Sequence, residues 1–202
     1  MKNKAKIAVL VSGGGTNLQA LIDAQQNGII KSGEIALVVS NNSSAYALTR
    51  AENAGIKTAV VLKKECRDQA DFESRILSLL SENGIDMIVL AGFMSILSAD
   101  FVSHYPERII NVHPSLIPSF CGEGLRVHRA ALDYGVKVTG ATVHYVNEIP
   151  DGGKIILQKA VNIEDGDTPE ILQKRVMEQA EWKLLPQAAE LVSAEIVKER
   201  TA

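Results

Sequence analysis

Short apolar runs alternate with segments of helical periodicity through the first half of this chain, and that alternation leaves few folds open. Residues 6–11, 34–40, 57–62, 86–91 and 108–112 read as strands. Between them, apolar residues return at intervals of three and four, as in Leu18, Leu21 and Ile22 over 17–26, and Phe72, Ile76, Leu79 and Leu80 over 68–82. Shorter helices are predicted over 45–53 and 99–104, and Gly28, Gly55 and Gly84 serve as helix stops. Strands that are apolar throughout are buried on both faces, so the pattern indicates a parallel sheet covered by helices on each side.

The character changes beyond residue 113. A loop rich in Pro, Gly and Ser leads to a helix over 127–134, then to two neighbouring strands over 140–146 and 154–163. Their connection, 147–153, is too short for a parallel crossover, so the pair is expected to be antiparallel. A last helix is expected over 168–192, bent at Pro186. The fold class is therefore α/β: a doubly wound, mostly parallel twisted sheet with helices on both faces and an antiparallel C-terminal edge. A length of 202 residues suits a single domain, 1–202, with material for a sizeable core.

A formal net charge of −3 gives no basic patch for nucleic acid and no strong attraction to anionic membranes. Cys66 and Cys121 fit reduced thiols and are too few for a cysteine-rich zinc site. The apolar run 7–11 behind Lys2, Lys4 and Lys6 is too short for a signal peptide or for a membrane span of roughly 20 residues. The chain is read as cytoplasmic, acting on small molecules, with no membrane or nucleic-acid partner, as a monomer or homodimer.

Three motifs carry chemistry. In Asn111-Val112-His113-Pro114-Ser115-Leu116-Ile117-Pro118 an amide and an imidazole stand two residues apart at the end of a strand, so both project to one side. The amide is a fixed donor and acceptor, and the imidazole exchanges a proton near neutral pH. Ser12-Gly13-Gly14-Gly15-Thr16-Asn17 joins the first strand to the first helix. Its glycines allow close approach to a ligand, the helix start favours phosphate, and Thr16 and Asn17 add donors or a helix cap. Leu18 stands where a dinucleotide fingerprint needs glycine, and no Walker lysine is present, which disfavours NAD and nucleoside triphosphates. A tight turn without ligand remains the alternative. Asp151-Gly152-Gly153 is either a plain hairpin turn or a carboxylate facing His113, where it would raise the imidazole pKa.

Other candidates have plainer readings. His144 shares a strand face with Thr142 and Val146 and reads as a buried, hydrogen-bonded residue. His128, at a helix start, reads first as packing and second as a substrate contact, and His104 sits at a helix end. Trp182 reads as packing, and Cys121 as a thiol not needed for catalysis.

The three motifs, in this order on one α/β chain, resemble the glycinamide ribonucleotide formyltransferase family of purine biosynthesis. The resemblance runs almost end to end, through IAVLVSGGGTNLQALIDA, DMIVLAGFMSILS, NVHPSLIPSF and TGATVHYVNEIPDGGKIILQ. It implies 10-formyltetrahydrofolate as co-substrate, glycinamide ribonucleotide as acceptor and no metal. It implies a Rossmann-like phosphate-binding half over 1–110 and a catalytic, folate-binding half over 111–202. Carried over, Asn111, His113 and Asp151 match the catalytic trio. Gly13, Gly14, Gly15, Thr16 and Asn17 match the phosphate segment, and Glu181 an acid on the glycinamide substrate. Met94, Ser95, Ile96 and Leu97, with Asn111 and the loop Asn147, Glu148, Ile149, Pro150 and Asp151, match the folate-binding walls.

Three departures bear on folate affinity and polyglutamate preference. Ser95 and Gln69 stand where, or near where, the family commonly has a cation, and the stretch 120–127 is shorter than in many members. Related readings are a hydrolase that passes the formyl group to water and a silent phosphate-ligand sensor. Methionyl-tRNA formyltransferase and formyltetrahydrofolate hydrolase carry an additional domain for which this length leaves no room.

Overall fold

A computed structural model describes residues 4–122 and 124–201; Lys2 of the basic N-terminus and Glu123 of the stretch 120–127 lie outside the described residues. The first five strands, β1 (Ala5–Val11), β2 (Gly33–Ser40), β3 (Lys57–Val60), β4 (Met87–Leu90) and β5 (Ile109–His113), run parallel. Strands β6 (Val138–Tyr145) and β7 (Ile155–Asn162) extend the sheet antiparallel, giving the order β3-β2-β1-β4-β5-β6-β7. The α/β fold expected from the sequence is the fold observed. The third strand stops at Val60 rather than residue 62, and the fifth takes in His113.

Alternate side chains of β1 feed two cores, as a period of two requires. Ile7, Val9 and Val11 pack with Leu18 and Leu21 of α1 (Thr16–Gln26), Ala47 and Ala51 of α2 (Tyr46–Asn53), and Leu185 and Val192 of α7 (Trp182–Glu199). Ala8 and Leu10 pack on the other face with Phe72, Ile76 and Leu80 of α3 (Gln69–Glu82) and Phe101 of α4 (Ala99–Ser103). Each such side chain, fully buried, contributes about 1.5–3 kcal/mol. Side-chain caps set several helix starts: Asp68 accepts from Asp71 N at 2.8 Å, and Ser98 from Phe101 N at 3.1 Å.

The C-terminal helix departs from expectation. It is interrupted between α6 (Pro169–Val176) and α7 by a π turn, Met177–Glu181, and α7 continues to Glu199, past residue 192. The irregularity therefore precedes Pro186. A π turn inserts one residue without breaking the helix, so it leaves no glycine or proline mark in the sequence. Pro186 lacks the N–H that would reach the carbonyl of Trp182, and it lies near the start of α7.

Strand order reverses between β1 and β4, and ligands of doubly wound sheets bind beyond the carboxyl ends of strands at such a switch. The glycine loop leaves β1 there, the segment 91–98 leaves β4 there, and β5 ends beside them at His113. The antiparallel register sets His144 of β6 opposite Asn111, and Thr142 opposite His113.

Gly140 of β6 tests how tightly this edge is built, because a Cβ there would lie 2.1 Å from the Lys159 carbonyl oxygen and 2.9 Å from a Leu116 methyl. Gly140→Ala is expected to destabilise the protein by about 1–3 kcal/mol in denaturant unfolding. A loss within about 0.5 kcal/mol, the range of a neutral surface change, would contradict this packing.

Candidate active site

The glycine loop begins α1 with Gly15 in the left-handed region (φ 72°), and no side chain caps the helix. A Cβ on Gly15 would meet the Ala47 side chain at 2.6 Å, so glycine is required for close approach as well as for φ. Gly13 and Gly14 face open space. The expectation that Thr16 or Asn17 caps the helix is corrected. Thr16 is the first helical residue, with its hydroxyl 3.8 Å from Met177 Sδ, and Asn17 Nδ2 donates to Glu181 Oε2 at 2.8 Å. The uncapped N–H groups of the first turn leave a donor-rich, electropositive end.

Glu181 is buried, and burial pushes its carboxyl up, while the Asn17 amide and the His113 charge oppose this. It closes the π turn, which lays its carboxylate against α1. Asn17 and Glu181, far apart in the chain, therefore meet at the start of α1.

His113 and Asp151 also meet. His113 is 3% exposed, and its Nδ1 lies 3.4 Å from Asp151 Oδ1. Its Nε2 lies 3.1 Å from the Phe120 carbonyl oxygen. Both ring nitrogens thus face oxygen acceptors, and the doubly protonated ring is the form that satisfies both. Burial alone would push the imidazole pKa down. The Asp151 carboxylate and the Phe120 carbonyl, with Glu181 behind, outweigh burial and raise it. The His113 ring, and after it the His144 ring, hold the Asp151 carboxyl far below the usual range. Asp151 has φ 54°, a conformation that aspartate tolerates better than most residues.

His144 was missed as a site residue. It is buried and hydrogen-bonded as expected, with Nδ1 donating to the Tyr145 carbonyl at 2.8 Å. Its Nε2, however, is 3.4 Å from Asn111 Nδ2 and 3.7 Å from Asp151 Oδ1. When neutral it accepts from the amide and fixes which end of Asn111 faces it; when charged it donates to the carboxylate. The strand alternation that predicted burial carries no information about this register. His128, in the first turns of α5 (Leu125–Tyr134), is fully buried with neither ring nitrogen bonded among the described residues, and its pKa falls to about 4 through burial and the nearby His113 charge.

Two segments rim the site. Residues 94–98 are pinned by Ser12 Oγ on Met94 N (2.8 Å), by Asn41 Nδ2 on Ser95 Oγ (2.9 Å), and by Glu73 Oε1 on Ser98 N (2.8 Å). Gln69 donates to the Ile96 carbonyl at 3.2 Å and to Glu73 at 2.6 Å, so it braces this segment. Met94 and Ile96 are left 60% and 77% exposed, an apolar surface with no partner among the described residues, while Leu97 turns into the core. On the other side, Asn147 Oδ1 accepts from Ile149 N at 3.0 Å and Ile149 O from Gly152 N at 2.9 Å. These bonds shape a turn that exposes Glu148, Ile149 and Pro150 and delivers Asp151. A cavity of about 420 Å³ lies between α1 and α7, lined by Thr16, Arg50 and Trp182, and none of the trio lines it.

The His113–Asp151 pair makes stability depend on pH with a definite sign. The Asp151 contribution is present above its unfolded pKa of about 3.8 and fades as pH falls through its lowered folded value. The His113 contribution is complete below about 6.5 and fades as pH rises through its raised folded value. Wild type minus Asp151→Asn, measured by denaturant unfolding, is therefore expected to be greatest between about pH 4 and 6.5 and to narrow on both sides. A pH-independent difference would contradict the ion pair.

Comparison with known proteins accords with this geometry. Residues 5–189 match the formyl transferase family. Phosphoribosylglycinamide formyltransferase of Haemophilus influenzae is 43% identical over 90% of this chain and 84% of its own length. Trifunctional purine biosynthetic protein adenosine-3 of Homo sapiens is 46% identical over 98% of the chain, which spans only 19% of that protein. The crystal structure of glycinamide ribonucleotide transformylase 1 from Symbiobacterium toebii superposes with a TM-score of 0.91 at 38% identity, covering 96% of this chain and 90% of that one. By extent of match, sequence and fold, this chain belongs to the formyl transferase family.

Proposed function

We propose that the chain transfers the formyl group of 10-formyltetrahydrofolate to the amine of 5-phosphoribosylglycinamide, in the cytoplasm and without a metal. The observation that carries this reading is the 3.4 Å approach of Asp151 to a buried His113 at the strand ends, beside a donor-rich glycine loop and an exposed apolar rim. The phosphate sits on the N–H groups of Gly15, Thr16 and Asn17, with Gly13 and Gly14 giving access. Glu181 contacts the sugar-amide portion. Met94, Ser95, Ile96 and Leu97 and the loop 147–151 flank the folate.

The acceptor nitrogen attacks the formyl carbon and forms a tetrahedral intermediate with negative charge on oxygen. The Asn111 amide donates to that oxygen, and protonated His113 joins it by turning its Nε2–H from the Phe120 carbonyl to the developing charge. The attacking amine gives up a proton, the folate nitrogen takes one as it leaves, and the C–N bond to folate breaks. Asp151 keeps His113 charged and passes protons between the two nitrogens, directly or through water, a contribution of roughly 10²–10⁴. Holding both substrates in one crevice removes much of the entropic barrier.

Replacing His113 with alanine is expected to lower kcat by about 10²–10³ while substrate KM values change little. A near-wild-type kcat would reject its role. Incubation with 10-formyltetrahydrofolate, with and without the glycinamide, separates related activities: formylated acceptor supports transfer, and release of formate without acceptor supports a hydrolase instead. Folate binding with no formylated product across about pH 6 to 9 would point to a silent sensor.

A further inference from the structure

The glycine loop has no cation of its own, yet its backbone is held by one. Three successive carbonyl oxygens are occupied by donors from the segment 42–50: Ser12 O by Asn42 Nδ2 (3.2 Å), Gly13 O by Ala47 N (3.1 Å) and Gly14 O by Arg50 Nε (2.8 Å). Carbonyls bonded toward α2 are turned from the ligand, so N–H groups dominate what the loop presents at the start of α1. Of the three donors, only Arg50 is charged.

Arg50 is fixed on several sides. Its Nη1 donates to Gln19 Oε1 of α1 at 3.0 Å, and its guanidinium lies 5.0 Å from the centroid of the Tyr46 ring. A Cβ on Gly15 would come within 3.4 Å of Arg50 Cδ, so the loop backbone packs on its stem. The side chain thus ties the loop, α1 and α2 together and places a permanent positive charge behind the phosphate end.

We propose that Arg50 is the positioning residue of the phosphate site: it orients the Gly14 peptide and supplies the cation that the loop lacks. This rests on the phosphoribosyl reading given above. Arg50 acts through the loop backbone and through its field, not on the reacting atoms, so its effect belongs to capture of the phosphorylated acceptor. Lysine would keep the charge but would replace a planar fork with a mobile point donor, so it should serve only in part.

The test compares glycinamide ribonucleotide with its dephosphorylated riboside as acceptors, each with saturating 10-formyltetrahydrofolate, in wild type, Arg50→Gln and Arg50→Lys. Wild type should prefer the nucleotide in kcat/KM. In Arg50→Gln that preference should fall about ten- to a hundredfold, mainly as a rise in nucleotide KM, with Arg50→Lys intermediate. A merely structural role would depress both acceptors alike and leave the ratio unmoved, which overturns the proposal, as does an unchanged ratio at full activity. If Arg50→Gln does not fold, Arg50→Lys decides by the same ratio. A wild type indifferent to the phosphate overturns the phosphate-site reading itself, an outcome distinct from failure of Arg50 alone.

Discussion

A buried imidazole with an oxygen acceptor on each ring nitrogen holds its second proton, and the organisation of this site follows from that. His113 gains its acceptors from two places that the chain reaches separately: the Phe120 carbonyl just downstream and the Asp151 carboxylate from the β6–β7 connection. Burial disfavours the charged ring, and these acceptors oppose it. Together they favour the charged form of a group that desolvation would neutralise.

The sheet makes this possible. Parallel strands bring the glycine loop, the segment after β4 and the end of β5 to one edge, and the helix start there is electropositive. The two antiparallel strands then return the chain, so that His144 lies beside Asn111 and the turn carries Asp151 to His113. The π turn does the same for Glu181 against Asn17. The Asn17–Glu181 contact and the His113–Asp151 pair are thus both held by rigid elements, with side-chain hydrogen bonds pinning the neighbouring loops.

Much of the architecture was legible because local and global signals agree: the apolar runs of β1, β2, β4 and β5 are strands buried on both faces, with β3 an exposed edge, and glycines follow the early helices where they should. The antiparallel edge was legible from the length of one connection. The π turn was not, since one inserted residue leaves helical composition intact. Asn111 and His113 could be placed together from strand spacing alone. That Asp151 faces His113 was left open by the D-G-G turn, and His144 was read as an ordinary buried residue. Both outcomes depend on cross-strand register, which periodicity does not encode. Asn17 looked like a cap because its partner Glu181 is remote in the chain, and Glu181 itself was reached only through resemblance.

The most direct test of the charged histidine is the ¹⁵N spectrum of the His113 ring in the wild-type enzyme at about pH 7, where an ordinary histidine is mostly neutral. The account predicts that both Nδ1 and Nε2 carry protons. A neutral ring, protonated at Nε2 alone with a bare Nδ1 toward Asp151, would contradict it.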